Sequence, residues 1–235
     1  MKFTDYNSPE KAIINDTFKI IPYMDMWISS IVEGYIYEKV DKYGYSRTKE
    51  EYNERYGKIE GEYKMWHSNG KIKRQEYYKE GRKEGECKWW WDNGQLHIQC
   101  YYKEGKEEGE CKWWLENGQL HIQCYYKEGK EEGESKGWYQ NGQIYYKYYY
   151  KEGKIEGEYK MWWDNGQLWR QSYYKEGKEE GESKGWYSNG QLWHQSYYKE
   201  GKLEGEYKRW DEEGKLIEYK MFREGEVIQD LLTVK

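Results

Sequence analysis

The chain has 235 residues, with 39 Lys and Arg against 44 Asp and Glu, for a formal net charge of -5. Leu, Ile, Val and Phe together number 31, which excludes a thick aliphatic core and falls below the level at which disorder is usually suspected. Near-balanced charge argues against disorder, however, and 29 Tyr and 14 Trp supply large apolar surfaces, so an ordered protein with an aromatic core is expected.

Taken in chain order, the first thirty residues show no basic segment followed by an apolar one. The most apolar stretch, Ile20 to Val32, is broken by Asp25 and is too short to span a bilayer. These features predict a soluble, cytoplasmic protein, or a host-cytoplasmic or virion protein if the source is a virus. Residues 1–55 fit no period well. Asn7-Ser-Pro-Glu-Lys-Ala-Ile-Ile14 reads as a short helix with Ser8 as N-cap and Pro9 in its first turn. Gly34-Tyr-Ile-Tyr-Glu38 and Tyr43-Gly44-Tyr45 resemble a decayed repeat. The region is read as an N-terminal cap, since an open array end exposes a strand edge.

From residue 56 to 225 the sequence repeats every 24 residues, seven times. Glycines recur at 61, 85, 109, 133, 157, 181 and 205, with further sets beginning at Gly70 and Gly81. Trp66, Trp90, Trp114, Trp138, Trp162, Trp186 and Trp210 fill one column, and Ile72, Leu96, Leu120, Ile144, Leu168, Leu192 and Leu216 another. The tyrosines Tyr77, Tyr101, Tyr125, Tyr149, Tyr173 and Tyr197 form a third, each followed by a second tyrosine. Asn-Gly, as in Asn93-Gly94, is a strong hairpin signal and predicts a type I′ turn with both residues at positive φ. Glu-Gly, as in Glu80-Gly81, marks the other turn. The stretches between turns are rich in Tyr, Trp and Ile, which favour strands. The expected fold is all-β: an elongated, single-layer antiparallel meander of seven two-strand repeats, a quasi-one-dimensional solenoid. Residues 226–235 depart from the period and read as a C-terminal cap.

A two-residue turn at Asn93-Gly94 sets Trp90 opposite His97, Trp89 opposite Ile98, Cys87 opposite Cys100 and Gly85 opposite Tyr102. One face then carries Gly85, Cys87, Trp89, Trp91, Leu96, Ile98, Cys100 and Tyr102, and is the packed side. The other carries Glu86, Lys88, Trp90, His97, Gln99 and Tyr101. Cys87/Cys100 and Cys111/Cys124 become Ser183/Ser196 in the sixth repeat, so the cysteines are expected to pack as small thiols; no metal site is expected. The four histidines lie at differing repeat columns, the acids are periodic, and there is no glycine elbow, P-loop or dinucleotide fingerprint. No catalytic constellation and no cofactor are expected. The Trp66–Trp210 and Tyr77–Tyr197 columns are the candidate binding residues.

The run Asn165-Gly-Gln-Leu-Trp-Arg-Gln-Ser-Tyr-Tyr-Lys-Glu-Gly-Lys-Glu-Glu-Gly-Glu-Ser-Lys-Gly-Trp186 resembles the MORN-repeat variant, the form found in bacterial toxin–antitoxin-type proteins and in large DNA viruses. The resemblance implies an extended antiparallel sheet and a scaffold or interaction role. The expected function is therefore non-enzymatic: protein–protein interaction or self-assembly through an aromatic face, with membrane-surface or glycan and peptide binding as the alternative. Mixed, slightly acidic charge disfavours nucleic acid and gives membranes no basic patch. A homodimer is expected to cover exposed aromatic surface. Abundant Lys, Tyr, Glu and Ile suit an A/T-rich genome.

Overall fold

The computed structural model describes residues 12–13, 18–23, 33–40 and 46–232, with side chains from Lys49 onward. The chain forms two compact units, residues 1–106 and 107–235. Both are all-β, and among the described residues there is no helix. The helix expected from Asn7 begins outside the described residues; Ala12–Ile13, within its span, is a short strand opposite Lys19 and Ile20.

In the first unit Phe18–Tyr23, Glu33–Val40, Ser46–Arg55, Lys58–Trp66 and Ile72–Lys79 each pair antiparallel with the next. Gly85–Trp90 then pairs with Ile72–Lys79 on one side and Leu96–Lys103 on the other. The stretch expected to cap the array thus adds strands to the same meander. The second unit continues the pattern from Gly109–Trp114 and Leu120–Lys127 through Lys202–Trp210 and Leu216–Arg223. Its last strand, Glu226–Asp230, pairs with Leu216–Arg223 and leaves Val227 and Ile228 exposed, so the C-terminal segment extends the sheet by a strand. Among the described residues each sheet is open, every strand lying beside its neighbours in sequence, as the expected meander requires.

The type I′ conformation expected at Asn-Gly is not found there. At Asn-Gly, Trp91 N–H donates to Gln95 O and Gly94 N–H donates to Trp91 O, at 2.8 and 2.9 Å. Gly94 has φ 92°, while no asparagine among the described residues has positive φ. This is a three-residue loop closed by a left-handed glycine. Asparagine serves through its side chain instead. Asn93 Oδ1 accepts from Gln95 N–H at 2.8 Å, and Asn69 Nδ2 donates to Asp92 O of the next repeat at 2.7 Å.

The type I′ geometry lies at Glu-Gly, where Glu80 has φ 53° and Gly81 φ 77°. A left-handed glutamate costs about 1–2 kcal/mol, and hydrogen bonds offset it. Glu80 N–H donates to Glu60 Oε2 at 2.7 Å, and Gly81 N–H to Ile59 O at 3.0 Å. The same pair of bonds recurs down to Glu224, whose N–H donates to Glu204 Oε2. Two successive N–H groups make a small anion-binding concavity, filled here by groups from the preceding turn.

The extra loop residue shifts the register beside the Asn-Gly turn only. Gly85–Tyr102, Cys87–Cys100 and Trp89–Ile98 are opposed as expected, but Trp90 faces Leu96 rather than His97. The same bulge recurs at Trp66, Trp114, Trp138, Trp162, Trp186 and Trp210. The buried residues Tyr63, Glu76, Cys87, Cys100, Cys111, Cys124, Ser135, Ser172, Ser183, His194 and Ser196 define the packed face. Here small side chains leave room for rings. Tyr146 lies across Gly137 and Trp193 across Gly185, so that a Cβ on either glycine would stand 2.3 Å from the ring. Tyr148 stacks on Tyr159 at 5.1 Å.

Candidate interaction face

The face opposite the packed one carries the same side-chain cluster in hairpin after hairpin. In the second repeat Glu86 is its centre: Lys88 Nζ donates to one carboxylate oxygen at 2.6 Å, and Gln99 Nε2 and Tyr101 OH donate to the other at 2.5 and 3.2 Å. Glu62, Glu110 and Glu182 hold equivalent Lys, Gln and Tyr partners. In the fourth repeat Lys147 replaces the glutamine, so Glu134 meets two lysines. In the seventh, Tyr219 takes the glutamine's column and donates to Glu206 at 2.5 Å.

These contacts hold the carboxyls below their ordinary range. At Glu110, Glu158, Glu182 and Glu206 the lysine hydrogen bond is the largest cause. At Glu62, Glu86 and Glu134 burial is the largest influence and opposes the shift, but the lysine and its partners outweigh it.

Tyr77, Tyr101, Tyr125, Tyr149, Tyr173 and Tyr197 are 38–51% exposed, two in the first unit and four in the second. The tryptophans Trp66, Trp90, Trp114, Trp138, Trp162, Trp186 and Trp210 are all half-buried. Their backbone carbonyls tie repeats together. Trp162 O accepts from Tyr139 OH, Trp186 O from Trp163 Nε1, and Trp210 O from Tyr187 OH, at 2.8–3.0 Å. Leu115 occupies that donor column in the third repeat and cannot donate; His121 Nδ1 reaches Trp138 O at 2.8 Å instead.

The packed face holds one polar group that the sequence reading missed. Glu76 is 0% exposed. It accepts from Arg74 Nη2 at 2.5 Å and Tyr78 OH at 2.7 Å, and from Trp89 Nε1 and Cys87 Sγ at 3.2 and 2.9 Å, with Lys83 Nζ at 3.0 Å. Burial opposes ionisation, but the Arg74 bond and its companions hold the carboxyl down at about 2. A signal was present in the sequence: Glu76 stands in a column otherwise filled by Cys100, Cys124, Tyr148, Ser172, Ser196 and Lys220. Cys87 and Cys124 are free and buried, and burial first, then Glu76, pushes the Cys87 thiol up to about 12. The packing-thiol expectation therefore holds for Cys87 and Cys124 and not for Cys100 and Cys111. Among the described residues no group of three or more His, Cys, Asp or Glu could hold a metal ion.

Seven consecutive segments, residues 59–80, 83–104, 107–128, 131–154, 155–176, 179–202 and 203–224, match the MORN repeat variant. The chain belongs to this family. Comparison with curated proteins finds no match. In MORN-variant terms, each matched segment closes on the Glu-Gly turn. The family is one of non-catalytic repeats.

Proposed function

We propose that this MORN-variant chain is a non-enzymatic scaffold that binds a protein partner through its tyrosine-bearing open face. One observation carries the reading: a charged pair on the open face is the same in every repeat. Glu62, Glu86, Glu110, Glu134, Glu158, Glu182 and Glu206 are one residue type in all seven repeats, and so are the lysines two positions on. Two central columns of the packed face differ from repeat to repeat: Tyr63, Cys87, Cys111, Ser135, Tyr159, Ser183, Tyr207 in one, and Met65, Trp89, Trp113, Gly137, Met161, Gly185, Arg209 in the other. Duplication alone leaves both faces equally alike. Packing constrains a buried face most strongly, so a Glu–Lys pair kept constant on the solvent side, beside central packed columns that vary, supports a surface used in recognition. Tyrosine suits that role, being large, rigid and amphipathic.

The test is capture from an extract of the source cells. Wild-type chain is compared with a variant carrying Tyr125→Ser, Tyr149→Ser, Tyr173→Ser and Tyr197→Ser, and with a control carrying Glu128→Gln, Glu152→Gln, Glu176→Gln and Glu200→Gln at the turn tips. A partner retained by wild type and control but lost from the tyrosine variant is the expected result. Equal retention by all three proteins would overturn the reading.

A further inference from the structure

Beside the tyrosines of the second unit runs a row of lysines that, among the described residues, join no ion pair. At four of its five Glu-Gly turns two lysines stand directly opposite one another, from Lys127 opposite Lys130 to Lys199 opposite Lys202; at the fifth Arg223 stands opposite Glu226. Alternation along the strand places Lys127 on the face of Tyr125, two residues away. Every member of the row is exposed. Among the described residues none joins an ion pair, whereas Lys112, Lys136, Lys160 and Lys184, on adjacent strands, are each paired with a glutamate. Like charges directly opposed in a sheet are destabilising. The glutamate between them at the turn tip leaves each Lys-Glu-Gly-Lys turn with a net positive charge.

The row also runs across the neighbouring turns. A methyl on Gly153 would touch Lys130 Cβ at 3.7 Å, one on Gly177 would touch Lys154 Cβ at 3.5 Å, and one on Gly201 would touch Lys178 Cβ at 3.6 Å. Each lysine stem therefore leaves its strand across the glycine of the next turn. The open face of this unit is segregated: neutralised Glu–Lys clusters, then a row of exposed rings, then unpaired ammonium groups.

Repeats are two strands apart, so each row advances about 9.6 Å per step. A polyproline-II segment rises about 3.1 Å per residue with three residues per turn, and returns the same side every ~9.3 Å. Successive strands also rotate by roughly 20–25°, which a segment without internal hydrogen bonds can follow by bending. Aromatic rows are suitable beds for proline rings. We infer that the lysine row and the adjacent tyrosines form a docking track for an extended polyproline-II segment with an acidic residue at every third position. This inference rests on the scaffold reading above and names the chemistry of its partner.

The test is calorimetric titration of the full chain with a synthetic peptide of four Pro-Pro-Glu triplets. The comparison peptide has the same composition, with all prolines first and all glutamates last. A variant carrying Lys151→Gln, Lys154→Gln, Lys175→Gln and Lys178→Gln changes only exposed side chains, and circular dichroism checks that its fold is kept. The triplet peptide is expected to bind with Kd below about 1 mM at low salt. Binding is expected to weaken roughly tenfold or more in the lysine variant and to weaken in the comparison peptide. No binding, equal binding of the two peptides, or binding indifferent to the lysines would each overturn the inference. So would a triplet peptide that fails while the lysines are needed for retention on phosphatidylserine vesicles or oligothymidine, since the row then serves another polyanion. If the peptide fails while the four-tyrosine variant still loses its captured partner, the scaffold reading stands and this one falls. The reverse pattern separates them in the other direction.

Discussion

The two faces of the same strands put their charges to different uses. On the open face a carboxylate meets a lysine in every repeat, with both groups partly in water. On the packed face one carboxylate among the described residues, Glu76, is sealed from solvent and gathers Arg74, Lys83, Tyr78, Trp89 and Cys87 around it. Exposed pairs contribute little to stability and carry little information about register. A buried network is expensive to break and differs from every neighbouring repeat. The repeats therefore present the same Glu–Lys pair outward while their inward packing partners differ. Near-identical repeats can slip by a full period, and irregular inner pairs such as Glu76 with Arg74 or Arg170 with Glu179 distinguish one register from another.

The comparison breaks first at Glu76. Glu76→Ala leaves Arg74 and Lys83 facing an apolar site and is expected to cost about 3–5 kcal/mol. Glu182→Ala on the open face, which removes the pair with Lys184, is expected to cost about 0.2–1 kcal/mol. Urea denaturation of the two variants measures both, and equal losses would erase the distinction. Next is Gly185→Ala. The added methyl would stand 2.3 Å from Trp193 Nε1, and overpacking of this kind costs about 1–3 kcal/mol. Trp193→Ala in the same chain should return part of that loss, and no such recovery would mean the ring is free to move aside.

Acid sharpens the contrast. The Glu76 carboxyl is depressed in the folded chain from its ordinary 4.5 to about 2. Its contribution is therefore present above pH 4.5 and is lost as pH falls towards 2. The open-face glutamates shift in the same direction and add to the acid sensitivity. Glu76→Gln should flatten the decline of unfolding free energy between those two pH values, and an unchanged slope would assign the acid sensitivity to the open face alone. The smallest effect is expected at Tyr173. Its ring is 51% exposed, so Tyr173→Ser should change stability by less than about 0.5 kcal/mol; a larger loss would mean the tyrosine row is structural.

Period, strand content and packed side were legible in the sequence, because glycine spacing and the opposed Cys and Ser pairs fix a register. The turns were not. Asn93-Gly94 and Glu80-Gly81 both supply a glycine, and what separates them lies outside the dipeptide. The asparagine bonds its own loop, while the left-handed glutamate is held by a carboxylate twenty residues earlier. That long-range partner has no local signature. The tyrosine column could be numbered from the sequence and lies exposed on the face opposite the packed one. The lysine row was equally visible as Lys-Glu-Gly-Lys, but summing charge along the chain conceals what pairing reveals. Glu76 could have been found as the one acid in a column of Cys, Ser, Tyr and Lys.

The hydrogen bonds at the Glu-Gly turns have a direction. Each turn from Glu80 to Glu224 is completed by a carboxylate and a carbonyl that precede it in the chain. On a ribosome, where the amino-terminal part emerges first, the groups that satisfy a new turn have always been made already. A nascent chain can add these turns one after another without waiting for later sequence, and a truncated chain loses only its final turns. The asparagine contacts run the other way, since Asn165 Nδ2 donates to Ser188 O ahead of it. The Glu-Gly edge of the sheet can therefore set during synthesis, while the opposite edge stays incomplete by one repeat until the next has been translated.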